Sequence, residues 1–147
     1  MSLKETLNYD IKTAMKAKDK ETLAVLRMIK TAVQAAEIDK KEELNAEEEL
    51  TILAREAKQR RESLAEFVKA GRDELVAKTE AEIEIVERYL PKQLSVEEVK
   101  EVIATVAEKI GATTQKEFGK LMGAVMQELK GKADGNVIKE QVKAHLG

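Results

Sequence analysis

The 147-residue sequence has no cysteine and no tryptophan, and it has only one histidine and one proline. Without cysteine, the chain can form no disulfide framework, no thiolate metal site and no cysteine nucleophile. No apolar run approaches the roughly 18 residues that a membrane-spanning helix needs, and the N-terminus does not resemble a signal peptide. These absences lead us to expect a cytoplasmic protein that does not associate with a membrane.

An excess of charge of one sign is also absent, since the formal net charge is −2 although 37% of the residues are charged. Hydrophobic residues make up 43% of the chain, which is enough for the core of one or two small folded domains. A net charge close to zero provides no long-range attraction to nucleic acid. Any nucleic-acid site must therefore be a local basic patch.

The residues that usually carry catalysis are sparse. His145, the single histidine, lies two residues from the C-terminus, where a cation suits the negative end of a helix dipole. No serine lies in a nucleophile-elbow pattern, and no glycine loop of the P-loop or Rossmann type is present. Glu80, Glu82 and Glu84 could in principle act in acid–base chemistry or hold a divalent cation, but we interpret them as a solvated helix face. We expect no catalytic residue, no metal ion and no cofactor.

Apolar residues recur at helical spacing along nearly the whole chain, and no segment alternates as a strand would. Four helices are predicted in the first part, at about residues 2–18, 20–36, 46–70 and 73–90. Asn45 can cap the third of these helices. Pro91, the only proline, cannot continue the fourth helix and disfavours helical geometry at Leu90. We therefore predict a domain boundary at Pro91.

Three further helices are predicted after this boundary. Two of them begin at capping-box patterns, Ser95 with Glu98 and Thr114 with Glu117. Asp134 can cap the last, which runs to about His145. The sequence thus predicts an all-α fold, with an N-terminal helical domain of four helices in residues 1–91 and a small C-terminal tail domain of three helices in residues 92–147. The N-terminal helices could form a compact bundle or extended hairpins, because the third is long.

A first cluster of basic residues lies in the segment AREAKQRRE, where Arg55, Lys58 and Arg61 share one side of the predicted third helix and Arg60 lies beside them. Arginine binds phosphate through its planar fork, so this cluster could be an anion site. We favour the alternative that these side chains form surface ion pairs with glutamates of the same helical turns. Arg61 falls near the apolar stripe, where it could pair across helices.

The segment LKGKADGNVIKEQV, residues 129–142, interrupts the helical pattern with a short polar turn. Gly131 can end a helix in a left-handed conformation, and Asp134 begins a new helix whose free N–H groups can face phosphate. Gly119 and Gly123, inside the preceding helix, indicate the close approach of another helix or of a ligand backbone. The segment is either an ordinary helical hairpin or an anion-binding corner. The candidate nucleic-acid-binding residues are Lys120, Gly123, Lys130, Gly131, Lys132, Asn136, Lys139 and Lys143.

The stretch GKLMGAVMQELKGKADGNVIKEQV resembles the tail domain shared by GatB and YqeY proteins. MKAKDKETLAVLRMIKTAVQAAEID and RRESLAEFVKAGRDELVAKTEAEIEIVERYLPKQLS resemble the N-terminal and middle parts of the stand-alone YqeY form, so that the resemblance covers nearly the whole chain. The turn Lys130–Ala133 matches the lysine–glycine turn of the family. GatB is a subunit of the amidotransferase that converts Glu-tRNA or Asp-tRNA to the amidated form, and its tail domain contacts the outer corner of tRNA.

The resemblance implies a non-catalytic accessory protein that binds tRNA or other structured RNA, since the catalytic portion of GatB has no counterpart here. A second possibility is a protein-interaction adaptor that docks on an amidotransferase or an aminoacyl-tRNA synthetase through its helical N-terminal part. A third, implied by family similarity alone, is carbon–nitrogen ligase activity with glutamine as the amido-nitrogen donor.

Overall fold

The computed structural model describes residues 2–147, and all regular secondary structure in that range is helical. The helices are α1 Leu3–Ala17, α2 Lys20–Lys40, α3 Ala46–Lys69, α4 Asp73–Glu87, α5 Val96–Ile110, a short 3-10 helix Gln115–Glu117, α6 Phe118–Leu129 and α7 Gly135–Leu146. The predicted all-α fold is confirmed. The chain divides into two compact units, one ending at Leu90 with α1 to α4 and one beginning at Pro91 with α5 to α7.

Local capping explains where the first helices begin and end. The Asp19 carboxylate accepts from the Thr22 N–H at the start of α2, and Asn45 forms a reciprocal capping box with Glu48 at the start of α3. α2 continues to Lys40, four residues beyond the predicted end, and stops where Lys41 adopts a left-handed conformation. The charged residues Glu37, Asp39 and Lys40 therefore belong to a partly exposed last turn of α2 and not to a loop.

α4 ends at Glu87, three residues before the predicted end at Leu90. The backbone N–H groups of Arg88, Tyr89 and Leu90 bond to the carbonyls three residues earlier, at 3.1–3.3 Å. This tightening of the final turn is a usual way for a helix to end, and here it precedes the proline.

The N-terminal unit has one core to which all four helices contribute. Leu7 of α1, Ile29 of α2, Leu53 of α3 and Val86 of α4 are almost completely buried in it. α1 packs on α2, α3 packs on α4, and α2 contacts both helices of the second pair. Two helical hairpins thus share a single core, and burial of each such side chain contributes about 1.5–3 kcal/mol.

The C-terminal unit is a three-helix cluster in which each helix packs on the other two. Ile103, Leu121, Val125 and Ile138 are fully buried at its centre. The predicted capping box at the start of α5 is present, because Ser95 Oγ accepts from the Glu98 N–H and the Glu98 carboxylate accepts from the Ser95 N–H.

The second predicted capping box, at Thr114, is not formed. The Thr114 hydroxyl caps no N–H group; instead the Glu117 carboxylate accepts from the Thr113 N–H at 2.7 Å and from the Thr114 hydroxyl at 3.2 Å. Because this carboxylate reaches one residue further back than in a capping box, residues 115–117 wind as a 3-10 helix and α6 begins only at Phe118.

Candidate nucleic-acid interface

The turn between α6 and α7, which we call the corner and define as residues 130–136, forms around a glycine. α6 ends at Leu129, Lys130 leaves helical geometry with a ψ of 122°, and Gly131 has a φ of +76°. The Lys132 N–H then donates to the Leu129 carbonyl at 2.8 Å. A side chain at Gly131 would strain this left-handed backbone, so the predicted helix stop at this glycine is confirmed.

The segment before α5 fixes the backbone of the corner. The Gln93 side-chain amide donates to the carbonyl of Gly131 at 2.7 Å and to that of Pro91 at 2.8 Å. The Leu94 N–H donates to the Lys132 carbonyl at 2.8 Å. Two successive carbonyls of the corner are therefore satisfied by residues almost 40 positions earlier in the chain. Gln93 is not among the predicted site residues, because no local pattern links a glutamine after a proline to a distant turn.

The N-terminus of α7 is capped by its own carboxylate. Asp134 Oδ1 accepts from the Asn136 N–H at 2.7 Å, and the Asp134 carbonyl accepts from the Ile138 N–H at 3.0 Å. The predicted cap is confirmed, but the expectation of N–H groups free for phosphate is wrong at Asn136. Its N–H already has a negatively charged acceptor.

The candidate residues do not all lie at the corner. Lys132 and Asn136 are exposed there, Lys130 is half-buried, and Gly131 is buried. Exposed positions on the adjoining helices hold the others, Lys120 and Gly123 on α6 and Lys139 and Lys143 on α7. At about 1.5 Å per helical residue, Lys120 lies about 15 Å from Lys130 along the axis of α6. The structure therefore gathers Lys130, Gly131, Lys132 and Asn136 and leaves the rest as flanking cations.

The expectation that Gly119 and Gly123 permit a close approach is wrong for the protein itself. A Cβ added to either glycine would meet no other heavy atom within 4 Å. Both glycines lie on an open face of α6, and neither is needed for helix packing in the described part of the chain.

Two members of the basic cluster on α3, Arg60 and Arg61, form ion pairs within the N-terminal unit. Arg60 is only 7% exposed, and its guanidinium lies 3.4 Å from both the Glu56 and the Glu82 carboxylates. Arg61 pairs with Glu87 of α4 at 3.2 Å, which confirms the predicted pairing across helices. The interpretation of the α4 glutamates as a wholly solvated face is wrong for Glu82, which is half-buried against Arg60.

Neither a metal cluster nor a membrane span is found in residues 2–147. No group of three aspartate, glutamate or histidine side chains there could hold a metal ion. No helix in the same range is both long and apolar enough to cross a lipid bilayer.

Comparison with known proteins gives a consistent match. Residues 4–146 match the family described as Yqey-like protein. The chain is 32% identical to "Altered inheritance of mitochondria protein 41, mitochondrial" of Kluyveromyces lactis over 94% of this chain and 72% of that protein. It is 26% identical to the protein of the same name from Pyrenophora tritici-repentis over 96% and 79%. A Saccharomyces cerevisiae protein of this name is 34% identical over 57% of this chain and 46% of its own.

Proposed function

Because this chain belongs to the YqeY-like protein family, we propose that it is an accessory protein that binds tRNA or another structured RNA through the corner between α6 and α7. The observation that carries the proposal is the fixed turn at Gly131, whose carbonyls are held by Gln93 and Leu94 while Lys132 remains exposed. A phosphate can approach such a turn without first having to order it, so less binding energy is lost on association.

The attraction at the corner is modest. Residues 115–147 contain six lysines and four acidic residues, a net charge of +2 in a chain whose total is −2. Glu128 and Asp134 lie close to the lysines of the turn and weaken their attraction for phosphate. With about three phosphate contacts, the slope of log affinity against log salt concentration should be about −2 to −3. Such contacts position an RNA and do not read its sequence.

We propose that the protein alone catalyses no amide transfer and acts in the cytoplasm; the mitochondrial names of the yeast relatives describe those proteins. The motivation is the lack of a recognisable nucleophile or phosphate loop in the sequence, with His145 exposed in the last turn of α7. Carbon–nitrogen ligase activity would then require a larger complex that supplies the reacting groups. Purified protein should release no glutamate from glutamine and should hydrolyse no ATP above a blank in an amidation assay.

An adaptor that docks on an amidotransferase or a synthetase is the second candidate. It is favoured by large apolar side chains that are exposed on the N-terminal unit, such as Ile38 at 75%, Tyr9 at 67% and Val68 at 60%. Apolar side chains of this kind are more often found at protein interfaces than at RNA-binding surfaces.

Affinity capture with and without ribonuclease separates the two candidates. If the corner binds RNA, recovery of tRNA and of the proteins bound to it should fall after ribonuclease treatment. It should also fall with the variant K130E/K132E. The control K100E/K109E makes the same change of charge at exposed lysines of α5 and should recover RNA normally. Partners that survive ribonuclease and both variants would support the adaptor and overturn the RNA proposal.

A further inference from the structure

The N-terminal unit contains a stronger concentration of positive charge than the corner. Residues 11–34 include six lysines and arginines but only two acidic residues, which gives a net charge of +4. Four of the cations surround the junction of α1 and α2, which we call the first turn and define as residues 17–20. These are Lys12, Lys16, Lys18 and Lys20, and all four are exposed.

The first turn is tight, and Lys18 and Lys20 lie within it. The Lys18 N–H donates to the Met15 carbonyl and the Asp19 N–H donates to the Ala14 carbonyl, which closes α1. The Asp19 side chain then caps α2, so one helix ends and the next begins within three residues. Lys18 has a φ of +57°, a conformation in which glycine is the usual residue. The chain thus carries a cation at a position where glycine would suit the backbone better.

The lysines of the first turn have no carboxylate partner in the described residues, unlike other cations of the same unit. Lys4 pairs with Glu37, and Lys40 pairs with Glu48. The one acid within the turn, Asp19, is engaged by the Thr22 hydroxyl at 2.7 Å and by the Thr22 N–H. Four ammonium groups are therefore available to an anionic ligand.

A pocket of about 400 Å³, whose surface is mostly apolar with polar groups among it, opens beside the first turn. Its walls include the hydroxyls of Thr13 and Thr22, the carboxylates of Asp10 and Asp19, and the side chains of Arg88 and Tyr89. The Tyr89 hydroxyl donates to Asp10 at 2.5 Å, while Ala14, Ala17 and Leu26 supply an apolar surface. The pocket has the volume of a typical small-ligand site.

We propose that the first turn and this pocket bind single-stranded RNA, with phosphates on the lysines and one unpaired base in the pocket. The two carboxylates repel phosphate from the pocket, but they can accept hydrogen bonds from the N–H groups of a base. An anionic membrane is the other surface that lysines can recognise. Its phosphate headgroups would meet the same repulsion at the pocket. The site goes beyond the proposed corner and stands even if the corner binds no RNA.

The test is a titration of a fluorescently labelled ten-nucleotide single-stranded RNA, followed by anisotropy at low salt. The variant K16E/K18E/K20E should bind at least about tenfold more weakly, and its salt slope should be shallower by about two. The matched control K58E/K69E/K78E makes the same charge change at exposed lysines of α3 and α4 and should lose less than about threefold. Far-UV circular dichroism should show helical content unchanged in both variants.

Two further variants test the pocket and separate this site from the corner. Ala17→Phe narrows the pocket and leaves every lysine in place, so it should weaken binding of the single strand severalfold and leave binding of a duplex unchanged. K130E/K132E should weaken binding of the short single strand much less than K16E/K18E/K20E does.

The proposal is overturned if wild type does not bind the single strand, or if both triple variants lose affinity equally. It is also overturned if the lysines prove to bind phosphatidylserine vesicles and not RNA. If Ala17→Phe weakened binding of the single strand and of the duplex equally, the pocket would not hold an unpaired base, and the site as proposed would be contradicted.

Discussion

The first turn and the corner are both junctions between two helices that are flanked by lysines, but the chain builds them differently. At the corner the left-handed position is Gly131, and the backbone is fixed from outside by Gln93. At the first turn the left-handed position is Lys18, and the bonds that close the turn come from its own helices. The corner therefore depends on long-range contacts, whereas the first turn is closed locally and lies in a segment, residues 11–34, with a net charge of +4.

Removing the support of the corner should have the largest effect on stability. Gln93→Ala deletes two hydrogen bonds and leaves the Gly131 carbonyl without its side-chain donor, which should cost about 2 kcal/mol in the C-terminal unit. Hydrogen exchange by mass spectrometry should show faster exchange in residues 129–138 and unchanged exchange in α1 and α2. Equal acceleration in both units would contradict the separate supports of the two junctions.

Gly131→Ala should have the next largest effect, because alanine is disfavoured at a φ of +76° by about 1–2 kcal/mol. Gly123→Ala, on the preceding helix α6, is the matched control. The added Cβ meets open space, so this variant should stabilise the unit by up to about 1 kcal/mol. Urea denaturation can be monitored by hydrogen exchange of the amides in α6. The free energy of unfolding should be lower than that of wild type for Gly131→Ala and higher for Gly123→Ala.

The reverse substitution at the first turn should have the opposite effect on stability and stabilise the N-terminal unit. Lys18→Gly relieves a left-handed lysine, and the gain should be up to about 1 kcal/mol after the greater flexibility of the unfolded glycine is subtracted. Lys16→Gly, inside α1, should instead cost about 1 kcal/mol. Thermal denaturation by circular dichroism checks both. A destabilised Lys18→Gly protein would show that the lysine side chain itself supports the turn.

Acid should affect the first turn by a smaller amount. Hydrogen bonds from the Thr22 hydroxyl and N–H hold the pKa of Asp19 below its usual value of 3.8. A lowered pKa contributes stability that is present above the unfolded value and is lost as the pH falls through the folded value. Asp19→Asn keeps a good cap without this titration, so its melting temperature should fall less than that of wild type between pH 7 and pH 3. Identical shifts would contradict the role of this carboxylate.

The sequence predicted the features that depend on neighbouring residues. Three such predictions are confirmed: the capping box of Ser95 with Glu98, the cap at Asp134 and the helix stop at Gly131. Each was predictable because it depends on residues within four or five positions of one another. The predicted cap at Thr114 was wrong, since the Glu117 carboxylate accepts from the Thr113 N–H and the Thr114 hydroxyl donates to the same carboxylate.

Features that depend on distant residues were not predictable. The bond from Tyr89 to Asp10 spans 79 positions and that from Gln93 to Gly131 spans 38, and neither leaves a local pattern. Arg60 was assigned to the surface because helical spacing does not say which neighbours will cover a side chain. Gly123 was predicted to allow the approach of another helix or of a ligand backbone, and no helix of the described residues comes close to it.

The salt dependence of tRNA binding by K130E/K132E tests the central claim most directly. Wild type, this variant and the control K100E/K109E should be titrated with tRNA between about 50 and 200 mM salt, with helical content checked by circular dichroism. The account predicts that the variant binds more weakly at low salt and that its slope is flatter by about two contacts, while the control follows wild type. Equal affinities and slopes for wild type and K130E/K132E would show that the corner is a structural turn and would contradict the proposed function.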